Sequence, residues 1–184
     1  GELVNNLTVN AATTALPSVN ILAGTVGITS TNITLGADLT AGSTTAGGSL
    51  SLTGAVALTS SVVLAGDGIT VTGGITGNNY NLALDGNGGA SAANGAVSVT
   101  GTVSNIQGLT VQDAAGATFA QVTAQTVQLA NTNTGTVTFG GDLTVAGQFA
   151  AATGSSYNLA IVGTTNTIGG PVSFVNTGSL TLGD

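Results

Sequence analysis

The side chains of this sequence able to move a proton near neutral pH are seven carboxylates, because the chain has no Lys, Arg or His and no Cys. Six are aspartates, Asp38, Asp67, Asp85, Asp113, Asp142 and Asp184, most of them beside glycine. Ca²⁺ seeks several carboxylate and carbonyl oxygens together, and Asp85-Gly-Asn-Gly88 is the densest local group. No Gly-Gly-x-Gly-x-Asp nonapeptide recurs, and no EF-hand loop with its closing Glu is present. Asp-Gly turn formation is therefore the preferred reading, and no metal or cofactor is assigned. Glycoside hydrolysis needs two carboxylates at a set separation with sugar-binding groups beside them. The chain has no Trp, and its two tyrosines, Tyr80 and Tyr157, hold equivalent places in an internal repeat, which points to structural duty. No catalytic residue is nominated, and the expectation is a protein that is not an enzyme.

Hydroxyls offer a second kind of chemistry. Thr70-Val-Thr72, Thr100-Gly-Thr102 and Thr134-Gly-Thr-Val-Thr138 resemble the flat threonine arrays of ice-binding solenoids. A working array would repeat the motif on one face in every coil. Ala, Ser and Gly interrupt it along the sequence, so outward threonine is read as ordinary β-propensity. Asn6-Leu-Thr8 and Asn32-Ile-Thr34 are formal glycosylation sequons, but such triplets arise by chance in an Asn/Thr-rich chain.

Missing residue types exclude more than the present ones allow. Without His, Cys or Lys there is no imidazole base, thiolate nucleophile, Schiff-base amine or soft metal ligand. A net charge of −7 with no cation repels nucleic acid and acidic membrane surfaces. Charged residues are 4% of the chain, against roughly 25% in an average soluble domain. The hydrophobic share of 42% argues against disorder. Runs such as Gly54-Ala-Val-Ala-Leu58 and Val62-Val-Leu-Ala65 are far shorter than the ~20 apolar residues of a membrane helix. The opening Gly1-Glu-Leu-Val-Asn-Asn6 lacks the basic and apolar regions of a signal peptide, so a mature product or a slice of a larger chain is expected.

The elements that must carry these residues read as short strands. Leu7-Thr-Val9, Ile33-Thr-Leu35, Leu50-Ser-Leu52, Ile69-Thr-Val71, Val97-Ser-Val99, Leu109-Thr-Val111, Val137-Thr-Phe139, Leu143-Thr-Val145, Val172-Ser-Phe174 and Leu180-Thr-Leu182 alternate apolar, hydroxyl, apolar. That period of two puts the aliphatics on one face and the hydroxyl on the other. Gly, Asn and Asp punctuate the ends, as in Gly36-Ala-Asp38, Gly66-Asp-Gly68 and Gly140-Gly-Asp142. No stretch supports a long helix; Gln112 to Leu129 fits strand alternation as well as helical spacing.

Internal echoes accompany the strands. Thr76-Gly-Asn-Asn-Tyr-Asn-Leu-Ala-Leu84 returns 77 residues later as Thr153-Gly-Ser-Ser-Tyr-Asn-Leu-Ala-Ile161. Ile69-Thr-Val-Thr-Gly73 matches Leu143-Thr-Val-Ala-Gly147, and Gly95-Ala-Val-Ser-Val99 matches Gly170-Pro-Val-Ser-Phe174. These suggest degenerate modules of about 75 residues, roughly 54–111 and 135–184, within a single solenoid spanning 1–184. A parallel β-solenoid explains this composition best. Coils stacked ~4.8 Å apart place like residues over like. Repeated charges then repel, whereas hydroxyls, amides and aliphatics reinforce one another. Gly and Asn supply the corners, and a narrow interior favours aliphatics over aromatics. With coils of ~20 residues the chain makes about nine, a rod near ~43 Å. An immunoglobulin-like sandwich and a cross-β amyloid are the competing folds.

Val137-Thr-Phe-Gly-Gly-Asp-Leu-Thr-Val-Ala-Gly147, Gly95-Ala-Val-Ser-Val-Thr-Gly101 and Thr177-Gly-Ser-Leu-Thr-Leu182 resemble the repetitive passenger regions of bacterial filamentous-haemagglutinin-like and autotransporter-type secreted adhesins. The resemblance covers nearly the whole chain and lies in repeat style and composition. It implies a right-handed parallel β-helix belonging to a long extracellular fibre. At the ends, Leu182-Gly-Asp184 followed by Gly1-Glu-Leu3 would read much like Ala65-Gly-Asp-Gly-Ile69. Axial continuation is therefore expected, the partners being copies of the chain or adjoining repeats of one long chain, end to end, with no nucleic acid and no membrane insertion. The expected role is a non-catalytic structural segment of a secreted bacterial surface fibre or filamentous adhesin. Its alternatives are a binding module presenting a Thr/Asn face to glycan or ice, and a functional-amyloid-like fibre subunit.

Overall fold

The computed structural model describes residues 6–16, 19–21, 24–42, 47–88, 94–130, 132–153 and 156–183. Among them every regular element is a strand: β1 (Asn6–Leu16), β2 (Val19–Ile21), β3 (Thr25–Leu35), β4 (Leu39–Ala41), β5 (Leu50–Leu58), β6 (Val62–Gly66), β7 (Ile69–Thr72), β8 (Ile75–Asp85), β9 (Val97–Val99) and β10 (Val103–Gln112). The series continues with β11 (Ala117–Phe119), β12 (Val122–Leu129), β13 (Thr136–Phe139), β14 (Leu143–Val145), β15 (Phe149–Ala151), β16 (Asn158–Ile161), β17 (Thr167–Ile168), β18 (Val172–Phe174) and β19 (Leu180–Leu182). Gln112 to Leu129, ambiguous in sequence, is strand.

All strand pairings are parallel, and each strand pairs with the strand one coil away rather than with its sequence neighbour. This is a parallel β-solenoid, in which one chain supplies successive coils; a sandwich would need antiparallel pairs. Registers trace a continuous column through Leu7, Val26, Leu50, Ile69, Val97, Ala117, Val137, Leu159 and Leu180. The winding therefore makes about eight turns, one fewer than the sequence suggests. At the strand spacing eight rises give a rod of about 38 Å. Coil length runs from 19 residues (Leu7 to Val26) to 28 (Ile69 to Val97), longer on average than the sequence spacing implies.

Three faces build each coil. Leu7 to Leu180 belong to the first. The second runs through Ile33, Val56, Ile75, Val103, Val122 and Leu143. The third runs through Leu39, Leu64, Leu84, Val111, Leu129, Ala151 and Phe174. Long strands such as β3 and β5 bend from the first face to the second, with a register shift between Thr29 and Asn32. The 74- and 75-residue echoes pair different faces: Ile69 lies on the first and Leu143 on the second, Val97 on the first and Val172 on the third. The same strand grammar serves every face, so sequence similarity alone does not say which face a segment occupies.

Glycine and asparagine turn the corners, as their freedom at positive φ predicts. Asn78 (51°), Asn79 (64°) and Asn105 (54°) are left-handed, as are Gly54 (132°) and Gly73 (138°). The interior is aliphatic in the early coils. The phenylalanines, for which the narrow core leaves little room, all pack in the later coils as a run: Phe119 stacks on Phe139 at 5.2 Å, Phe139 meets Phe149 at 5.9 Å, and Phe149 meets Phe174 at 5.5 Å. Alanine makes the space, since Ala117, Ala124 and Ala151 fill inward positions of the same coils.

Candidate functional site

Each described carboxylate is placed by a turn or corner. The Val63 amide donates to Asp38 Oδ1 at 2.7 Å. Asp85 accepts from the Asn87 amide at 2.9 Å and from Gln112 Nε2 at 2.8 Å. Asp142 Oδ1 accepts from the Thr165 amide at 2.8 Å and the Thr164 hydroxyl at 3.3 Å. Asp113 sits at φ 50°, its amide donating to Thr132 Oγ1 at 3.0 Å. The Asp67 carboxylate lies against Gly47, and its Oδ1 has no hydrogen-bond partner among the described residues. Asp184 lies outside the described residues. Among the described residues no aspartate pairs with another in the ladders: Asp85, for example, lies between Ala65 and Gln112. That arrangement is what repulsion at ~4.8 Å requires. Among the described residues no three His, Cys, Asp or Glu gather as a metal-binding group.

The two tyrosines part company despite their matching sequence contexts. Tyr157 is fully buried, two residues before inward Leu159, as strand alternation dictates. Tyr80 is 38% exposed, because left-handed Asn78 and Asn79 turn the chain outward just before it.

Asparagine has a role that turn propensity alone does not reveal. Asn133 is buried, and its amide brackets two coils: Oδ1 accepts from the Ala114 amide at 3.0 Å, while Nδ2 donates to the Val111 carbonyl at 2.8 Å and the Ala130 carbonyl at 3.0 Å. Asn166 repeats the device, accepting from the Leu143 amide and donating to the Gly163 carbonyl. In Asn133→Ala the Ala114 amide loses its side-chain partner, while the Val111 carbonyl keeps the Ala130 amide at 2.9 Å, an expected cost of about 1–3 kcal/mol. Urea unfolding of the variant beside the parent reads that loss directly.

Outward positions decide what the rod can present. Between the two inward columns of the first face runs the series Thr8, Gly27, Ser51, Thr70, Ser98, Thr118, Thr138, Ala160 and Thr181. Two residues further on, Thr29 pairs with Thr53 and Thr53 with Thr72, and the register of Val71 with Val99 carries the column on to Thr100. Thr29, Thr53, Thr72 and Thr100 are all exposed. The threonines that look irregular in sequence thus fall into two adjacent hydroxyl columns over the early and middle coils. The second face carries one hydroxyl column, through Thr123, Thr144 and Thr167, but its neighbour includes Gln121 and Asp142. The third face mixes Val63, Ala83, Thr110, Gln128, Ala150 and Ser173. It holds an open groove of about 380 Å³ lined by Asp38, Ser61, Asn81, Thr110, Thr126 and Gln128 among others.

In the last described coil the inward columns lose their cover. Leu180, Leu182 and Val172 are 41%, 62% and 45% exposed, although the equivalent residues one coil earlier, Leu159, Ile161 and Phe149, are buried. An open cavity of about 250 Å³ lies there among Ile161, Ile168, Val172, Phe174 and Leu182. No family model, curated protein or solved structure matches this chain. The strand pairing identifies it as a parallel β-solenoid, with paired hydroxyl columns on one face and an exposed apolar last described coil.

Proposed function

We propose that this chain is a non-catalytic structural segment of a secreted bacterial surface fibre or filamentous adhesin, its coils stacking axially into a stiff, protease-resistant rod. The observation that carries this reading is the apolar coil end at Leu180, Leu182 and Val172, whose first-face columns are buried from Val26 and Ile28 to Leu159 and Ile161. A further β-coil in register would cover it, whether from the same long chain or from a second copy. The engagement of Asp38, Asp85 and Asp142 in local hydrogen bonds supports a structural use of the carboxylates over a catalytic one. The absence of Lys and Arg removes every trypsin-type cleavage site, which suits an extracellular location.

Sedimentation of the 184-residue chain against concentration tests axial stacking. The expected result is concentration-dependent association that Leu182→Asp abolishes while far-UV circular dichroism stays unchanged. A parent chain that remains monomeric at every concentration overturns it. A second reading, a binding module presenting a Thr/Asn face to glycan or ice, is favoured by the two adjacent hydroxyl columns of the first face.

A further inference from the structure

We infer that the first face is an ice-binding surface, with the paired hydroxyl columns centred on Thr53, Thr70 and Thr72 as its contact lattice. The inference rests on the second functional reading and commits it to one ligand. Coils repeat at ~4.8 Å along the axis, and residues i and i+2 of a strand stand ~6.7 Å apart. The hydroxyls therefore form a two-dimensional grid, with distances near those at which water oxygens repeat on a prism face of hexagonal ice. Threonine is stiff at χ1, so the Thr29, Thr53, Thr72 and Thr100 column presents hydroxyl and methyl alike, while Ser51, Thr70 and Ser98 add hydroxyls beside it. A rigid grid loses little ordering entropy when it binds a rigid lattice.

Charge and shape favour ice over a saccharide. The described aspartates lie off both columns, so a neutral surface meets a neutral lattice. Sugar sites are concave and use aromatic platforms. These columns lie on strands, apart from Thr100 one residue past β9, and among the described residues the exposed aromatic, Tyr80, pairs with Ile106 in the winding between the second and third faces. β-Propensity alone would place hydroxyls equally on all three faces. The pairing of two columns is instead confined to the first, whose adjacent Thr29, Thr53 and Thr72 contrast with Gln121 and Asp142 on the second.

Gly27 is the gap in the grid: it lies between Thr8 and Ser51 in the column, and an added Cβ would meet nothing closer than the Leu7 carbonyl at 4.0 Å. The experiment compares the parent chain with Gly27→Thr, with Thr53→Tyr/Thr72→Tyr, and with Gln128→Tyr on the third face, each checked for folding by circular dichroism. The readouts are ice-crystal shaping, recrystallisation inhibition and co-sedimentation with crystalline cellulose and chitin. The expected result is activity on ice that falls by about tenfold or more in the double tyrosine variant, survives Gln128→Tyr and rises in Gly27→Thr. Equal activity of parent and double tyrosine variant overturns the site. Binding to the crystalline polysaccharides without any effect on ice overturns the ligand but leaves the binding reading standing. Inactivity in every assay overturns both.

Discussion

Gly73→Val is expected to lower the stability of the rod by about 3–5 kcal/mol, combining positive-φ strain with backbone overlap. Gly73 closes the corner after β7 at φ 138°, a conformation that a β-branched residue avoids. Its neighbour one coil away, Gly54, has φ 132°, and a Cβ on Gly73 would overlap the Gly54 carbonyl. A Cβ on Gly54 would in turn overlap the Ser30 carbonyl, and one on Gly101 would overlap Gly73. The corner is thus a stack of backbones with no room between them for side chains, so the neighbouring coils must separate to admit one. Urea unfolding followed by far-UV circular dichroism measures the cost. Gly27→Ala is the control, because Gly27 is a strand residue with open space at its Cβ. It is expected to be neutral or stabilising by about 0.4–1 kcal/mol. Similar destabilisation by both would refute the corner argument.

Phe139→Ala is expected to cost a similar amount, about 3–5 kcal/mol, by a different mechanism. Phe139 is 1% exposed and lies on the first face, where its ring stacks on Phe119 one coil away at an interplanar angle of 15°. It also meets Phe149 of the third face edge-on at 72°, so its contacts run both along the axis and across the core. Truncation leaves a cavity where Ala117, Ala124 and Ala151 are already small and cannot fill it. Stability in a solenoid is a sum of coil and neighbour terms, so the damage should stay local. The expected unfolding curve acquires an early phase from the later coils while the aliphatic early coils melt near the parent midpoint. Phe174→Ala, at a partly buried position, should cost less. A uniform shift of one sharp transition would show that the rod unfolds as a single cooperative unit.

These variants probe features of unequal visibility in the sequence. The triplets with hydroxyls between aliphatics announce strands wherever they occur, and Leu50-Ser-Leu52 and Val97-Ser-Val99 stand in the structure as that pattern requires. Glycine and asparagine announce the corners. The bracketing by Asn133 is hidden, because an asparagine that turns the chain and one that ties two coils look alike in a string of letters. Tyr80 and Tyr157 show the same limit: near-identical neighbourhoods lead one outward and one into the core, with left-handed Asn78 and Asn79 just before the outward one.

The carboxylates were legible as turn residues, and the structure places those it describes at turns and corners. The hydroxyl lattice was not. Ser51, Thr70 and Ser98 lie one above another although the intervals between them are 19 and 28 residues. Coil length varies because the number of residues between one strand and the next varies, while backbone hydrogen bonding holds each strand in register with the coil below. By itself the sequence determined the strand period, the corner residues and, through the rarity of charge, a stacked fold in which like meets like. Only the tertiary structure decided which outward residues share a column, since solvent-facing side chains leave no hydrophobic period to read and their alignment is set by the winding of the whole chain.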